Sequence, residues 1–146
     1  MRTVASLKLS KPFDFQSPFP GKEFAAWIVA AESSLSDAEK KRVADSLIGA
    51  GCRYAVCSGL DSSSWDDAVD LAYIDRYPDS DADDSRFVMT TWHDDESLDD
   101  IADFFVLNTS FDFFVPEYFL VVGIGSEASI GDAVERVQVR LTSSAT

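Results

Sequence analysis

The chain carries a single histidine. His93 stands in Phe87-Val-Met-Thr-Thr-Trp-His93-Asp-Asp-Glu96, where an apolar run gives way to acids. Imidazole is the one side chain whose ordinary titration falls near neutral pH, so His93 is the first candidate for acid–base work. Cys57 and Ser58 are the candidate nucleophiles, because an imidazole within reach can take the proton of a thiol or hydroxyl. Asp94 or Asp95 could orient the ring. Asp94, Asp95 and Glu32 could instead offer carboxylate oxygens to a divalent cation such as Mg²⁺, which prefers oxygen ligands and keeps several waters.

Each of these has a plainer explanation. Asp95 and Glu96 precede Ser97, which reads as a helix N-cap with Asp100 three residues on. Acids in a first helical turn meet the helix dipole favourably. Cys57 in an apolar segment is more often a small core residue than a nucleophile. Around Ser58 the text is Cys57-Ser-Gly-Leu-Asp61, which lacks the Gly-x-Ser-x-Gly elbow of hydrolases. Receiver-type phosphorylation sites need a lysine after a later strand, and no lysine follows Lys41.

Two other strings spell motifs without the context for them. Gly123-Ile-Gly125-Ser126-Glu127-Ala128 matches a dinucleotide fingerprint, but Glu127 would put negative charge where a pyrophosphate sits. A tight turn into a helix is expected there. Asp79-Ser-Asp81-Ala-Asp83-Asp84 opens like a calcium loop, yet its sixth position is Asp84 rather than Gly and its twelfth is Thr90 rather than Glu. A solvated loop is expected.

The elements that must position these residues follow from periodicity. Residues 1–22 carry Pro12, Pro18 and Pro20 and read as an irregular N-terminal arm. Its phenylalanines, Phe13, Phe15 and Phe19, are expected to pack on the body. Phe24 to Ala31 is an apolar run of strand length. Ser36-Asp-Ala-Glu39 is a capping box, followed by Val43, Ala44, Leu47 and Ile48 on one helical face and by Gly49 and Gly51 at its end. Tyr54 to Cys57 is a second strand. A helix begins near Ser62 to Ser64 and turns Trp65, Val69 and Ala72 inward, with Asp66, Asp67, Asp70 and Asp75 on its other faces. Phe87 to Thr91 is a third strand. Leu98, Ile101, Ala102 and Phe105 mark a third helix, and Tyr118 to Ile124 a fourth strand. Ile130, Val134, Val137 and Leu141 give the last helix.

Apolar strands alternating with amphipathic helices imply a parallel sheet covered on both faces. The fold expected is a single α/β domain over residues 1–146: a three-layer sandwich with about four mostly parallel strands, flavodoxin-like or truncated Rossmann-like. The strand C-terminal ends, where such folds bind ligands, would gather Glu32, Ser33 and Ser34 from the first strand, Cys57, Ser58 and Asp61 from the second, Thr90, Thr91, Trp92, His93, Asp94, Asp95 and Glu96 from the third, and Gly125, Ser126 and Glu127 from the fourth.

Composition narrows the partners. With 26 acids against 12 bases the formal charge is −14. Direct nucleic-acid binding and anionic membranes are disfavoured, since both need clustered Lys and Arg. Hydrophobic content of 46% supports a core without disulfide or metal. No apolar run approaches bilayer length and the N-terminus lacks a signal-peptide core, so a soluble cytoplasmic protein with free Cys52 and Cys57 is expected. The aromatic group Phe104, Phe105, Phe111, Phe113, Phe114, Tyr118 and Phe119 belongs in the core, with a homodimer contact as the other use.

The Thr-Thr-Trp-His-Asp-Asp-Glu string, with the acidic helix and apolar strand after it, resembles a small bacterial family with no known activity, over residues 87–125. The resemblance implies a compact α/β domain and nothing about chemistry. With no complete catalytic set, the function expected is non-enzymatic: an acidic interaction protein of inhibitor, immunity or defence type, meeting a basic partner through Asp66, Asp67, Asp70 and Trp92. The alternative is a hydrolase-like or metal- or ligand-binding domain with its site around His93.

Overall fold

The computed structural model describes residues 2–78, 86–112, 114–125 and 130–144. Local sequence sets most element ends. Ser36 accepts a hydrogen bond from the Glu39 amide while the Glu39 carboxylate binds the Ser36 amide, and the helix so capped, α1, runs Asp37–Ala50. It stops at Gly51, whose φ of 116° suits glycine alone, and Gly49 lies inside its last turn. Ser97 likewise accepts from the Asp100 amide and starts α3, Leu98–Leu107. Helix α2 spans Ser62–Arg76 and α4 spans Ile130–Ser144.

The strands are β1 Thr3–Leu9, β2 Phe24–Ala30, β3 Cys52–Gly59, β4 Met89–His93 and β5 Tyr118–Ile124. They form one sheet in the order β1-β5-β2-β3-β4, and every pairing is parallel. The expected α/β sandwich is therefore present with five strands rather than four. The extra strand comes from the N-terminal arm, which is irregular only beyond Leu9. Ala5, Leu7 and Leu9 alternate with Ser6 and Lys8, the period-2 pattern of an edge strand. The rest of the arm does pack at home: Phe13 and Phe19 are buried. Strand β4 starts two residues later than expected, so His93 is its last residue rather than the second residue beyond it.

Helices α1 and α2 cover one face. Val43, Leu47, Trp65 and Val69 pack there on Ile28, Ala55, Cys57 and Val122. Helices α3 and α4 cover the other, where Ile101, Phe105, Ala133 and Val137 meet Trp27, Val56, Phe119 and Val121. The chain winds outward from β2 through β3 to β4, then returns through α3 to β5 on the far side of β2. Winding reverses between β2 and β5. In open α/β sheets that reversal opens a crevice at the strand C-terminal ends. His93, on the outermost strand, lies two strands from it.

Candidate functional site at the strand C-terminal ends

Parallel register decides which candidates can meet. Ser58 pairs with His93 and Cys57 pairs with Trp92. Paired residues in a sheet share a face and neighbours along a strand do not. Cys57 points into the core beneath α1 and α2. His93 points the other way, with its ring centre 4.7 Å from that of Phe104 on α3. The Cys57–His93 dyad is thus separated by the sheet itself. Burial also pushes the Cys57 thiol well above its ordinary range, reinforced by the negative charge of Asp66. Cys52, the other free cysteine, is pushed up to about 12 by burial. Neither thiol is available as thiolate.

Ser58 does share a face with His93, but its hydroxyl is engaged elsewhere. The Trp27 indole N–H donates to Ser58 Oγ at 2.8 Å, and the Ile28 carbonyl lies 3.4 Å from the same oxygen. Buried indole N–H groups need an acceptor, and Ser58 supplies one. Its role is to satisfy Trp27.

His93 is 8% exposed, and both ring nitrogens are bonded within the chain. Nδ1 lies 2.8 Å from Glu96 Oε2 and Nε2 lies 2.9 Å from Thr91 Oγ1. The acid that orients the ring is therefore Glu96, three residues on. Asp94 and Asp95 are exposed on the turn, where Asp95 takes a left-handed φ of 59°. Aspartate tolerates that conformation better than most residues. The Glu96 carboxylate reaching back to His93 closes this turn between β4 and α3. Tyr54 extends the chain of contacts: burial raises its phenol, and a hydrogen bond with Thr91 works against that rise. Tyr54, Thr91, His93 and Glu96 form one polar relay beneath Phe104 and Phe111. The sequence put Thr91 and Glu96 on the same edge as His93 but gave Glu96 to the helix start and Thr91 no role, although their spacings of two and three residues from His93 were visible.

The cation candidates are not brought together. Glu32 follows β2, accepts a hydrogen bond from Ser34 Oγ at 2.8 Å, and lies over Gly125 in the winding-reversal crevice. Asp94 and Asp95 follow β4, two strands away. Among the described residues, no three His, Cys, Asp or Glu side chains come together as a metal-ligand set. Ser126, Glu127 and Ala128 of the glycine-rich string lie outside the described residues, as do Asp79 to Asp84 of the calcium-like loop and Phe113.

The aromatic group is largely consumed by packing. Phe105, Phe114 and Phe119 are buried, and Phe104, Phe111 and Tyr118 pack against the two cores. The acidic residues of α2 are more open. Asp67 and Asp70 are exposed, and Asp70 Oδ1 accepts from Thr90 Oγ1 on β4 at 3.0 Å. Burial raises the Asp70 carboxyl most, the Thr90 bond opposes that, and the charges of Asp66 and Asp67 add to it. Trp92 shares the α2 side of the sheet with Cys57 and is 51% exposed. Among the described residues, no helix is long and apolar enough to cross a membrane.

No curated protein matches the sequence. A family model, described as Domain of unknown function (DUF7684), matches residues 4–139 and so takes in β1 from its second residue, the other four strands and the first two thirds of α4. The chain belongs to that family.

Proposed function

We propose that this protein is a non-enzymatic interaction protein that engages a basic protein partner through the outer face of α2 and the adjoining edge of β4. The observation that carries the reading is a set of exposed apolar side chains among acids: Trp92, Leu71 and Ile74 are 51%, 53% and 54% exposed. On α2, Ser63, Asp67, Asp70, Leu71 and Ile74 form one solvent-facing stripe at helical spacing. Helix α2 runs antiparallel to β4, and Asp70 is bonded to Thr90. Trp92 lies two residues up the strand from Thr90, which places it level with Asp66, about one helical turn before Asp70.

A groove of about 380 Å³ between α1 and α2 adjoins the stripe, lined by Asp37, Ala38, Lys41, Ser64, Asp67, Ala68 and Leu71. Apolar anchors ringed by like charge are what a cationic, partly apolar partner needs: the anchors hold and the charges steer. Cross-linking from positions 67 and 74 fixes the partner, and stopped-flow association then tests the reading. Association should slow about tenfold between low and physiological salt, and again in an Asp66→Asn, Asp67→Asn, Asp70→Asn triple variant. A rate indifferent to both salt and the triple substitution would remove the basis for this function.

A second reading has one observation in its favour. The Thr91–His93–Glu96 hydrogen bonds of 2.9 and 2.8 Å place a hydroxyl, an imidazole and a carboxylate in line. On this reading His93 would accept the Thr91 proton in an acyl transfer. Labelling of Thr91 by a fluorophosphonate, lost in His93→Ala, would support it. An unlabelled Thr91 leaves the relay as a turn lock.

A further inference from the structure

At the opposite end of the sheet, the bases of this acidic chain converge. Lys22, Arg53 and Arg86 line a cleft of about 320 Å³ at the N-terminal ends of β2, β3 and β4. The Arg76 guanidinium lies beside the lining residue Gly49, within 3.1–3.4 Å of where a side chain there would begin. Four of the chain's 12 bases thus gather around one cleft, and among the described residues that line it the one acid, Glu23, is bound to Arg53. The carbonyls of Leu47 and Ile48 at the adjacent end of α1 are engaged by the Gly51 amide.

Arg53 is the informative residue. Its side chain is 7% exposed. Nε donates to the Phe87 carbonyl at 2.9 Å and Nη1 to Glu23 at 2.8 Å. Nη2 is buried, with no hydrogen-bond partner among the described residues. A buried guanidinium nitrogen left without an acceptor is costly and rare. Arg53 presents a two-pronged fork of which one prong is held by a carboxylate and the other is buried beside the Phe111 and Phe114 rings without an acceptor. The Glu23 side chain is 56% exposed and also borders a second cavity of about 270 Å³, with Phe114, Val115, Glu117 and Tyr118, so its carboxylate has room to swing aside.

We propose that this cleft is a binding site for a small oxyanion, of phosphate-monoester or inorganic-phosphate type. The anion displaces the Glu23 carboxylate, takes both Nη atoms of Arg53 as a bidentate pair, and is neutralised by Lys22. Glu23 is then an internal competitor for the fork. Arg76 and Arg86 contribute field at the wall. The site is independent of the α2 face, so either reading can fail while the other stands.

The test is titration of the full chain with inorganic phosphate and, separately, with adenosine monophosphate, read by heat and by the Lys22 and Gly51 amide resonances. Saturable one-to-one binding in the millimolar range is expected. Lys22→Gln, at an exposed position, should weaken it about tenfold, and Arg53→Lys, which keeps the charge but not the fork, at least as much. Glu23→Gln should tighten it several-fold, whereas Glu135→Gln on α4 should change nothing. Equal binding of both anions assigns the site to a bare phosphate group, and preference for the monophosphate to a nucleotide-bearing ligand. Absence of saturation into tens of millimolar, or an equal gain from Glu23→Gln and Glu135→Gln, would overturn the site.

Discussion

The two ends of the parallel sheet differ in how their polar groups are spent. At the C-terminal end, the end that open α/β folds use for ligands, the candidates are already satisfied. His93 bonds Thr91 and Glu96, Ser58 serves Trp27, and Cys57 lies on the other face of the sheet. At the N-terminal end, Arg53 keeps one buried guanidinium nitrogen without an acceptor among the described residues, in a side chain that lines a cationic cleft. A reactive residue type at the expected edge is therefore a weaker sign of a site than an unspent hydrogen bond at an unexpected one.

Substitutions at the two ends should separate these roles. Arg53→Ala has the largest expected effect, about 3 kcal/mol lost in chemical denaturation. It removes the bonds to Phe87 and Glu23 and the contacts with the Phe111 and Phe114 rings, 5.6 and 5.8 Å from its guanidinium carbon. Arg53→Met keeps the stem and should cost clearly less, because an apolar side chain of similar length fills the space and keeps the packing on the Phe111 and Phe114 rings that alanine gives up. If the two variants were equally unstable, the guanidinium would be a structural tie rather than a partly unpaired fork.

His93→Ala comes next, at about 1–2 kcal/mol, from losing the Phe104 contact and both relay bonds. Partner association and phosphate binding should be unchanged. A loss of either would move the functional site back toward the C-terminal end. Glu96→Gln should cost less than about 1 kcal/mol, since an amide still reaches Nδ1 and the side chain is partly in water.

Asp70→Asn has the smallest effect and the opposite sign. The folded-state carboxyl titrates above its ordinary value. Folding therefore takes up protons, and stability falls as pH rises through that raised value. At neutral pH the substitution should stabilise by less than about 0.5 kcal/mol. The gain should fade as pH falls through the raised value and vanish below the ordinary one, as thermal melts across pH would show. The same substitution should weaken partner association, so the acid would be kept at a cost to the fold. A gain independent of pH would mean that charge is not its origin.

Much of the fold was legible in the chain. The capping box at Ser36, the N-cap at Ser97 and the apolar runs at Phe24 and Tyr118 are local signals, and each appears where its sequence puts it. Strand β1 was missed because Pro12, Pro18 and Pro20 drew its seven residues into an irregular arm, despite the alternation from Ala5 to Leu9. The candidate site was less legible. The text placed His93 near acids, but not which acid would bond it, nor that Cys57 would face away.

By itself the sequence determined the α/β layering, the helix ends and the negative field, because these depend on local periodicity, local caps and summed charge. The tertiary structure alone decided the rest. Sheet register put Ser58 beside His93 and Cys57 behind it, since alternation assigns each side chain to a face only once neighbours are paired. Strand order set the winding reversal at Glu32 and Gly125, two strands from His93. Packing of four separate segments brought Lys22, Arg53, Arg76 and Arg86 around one cleft. No linear spacing encodes that cleft, because its members meet only through long-range contacts.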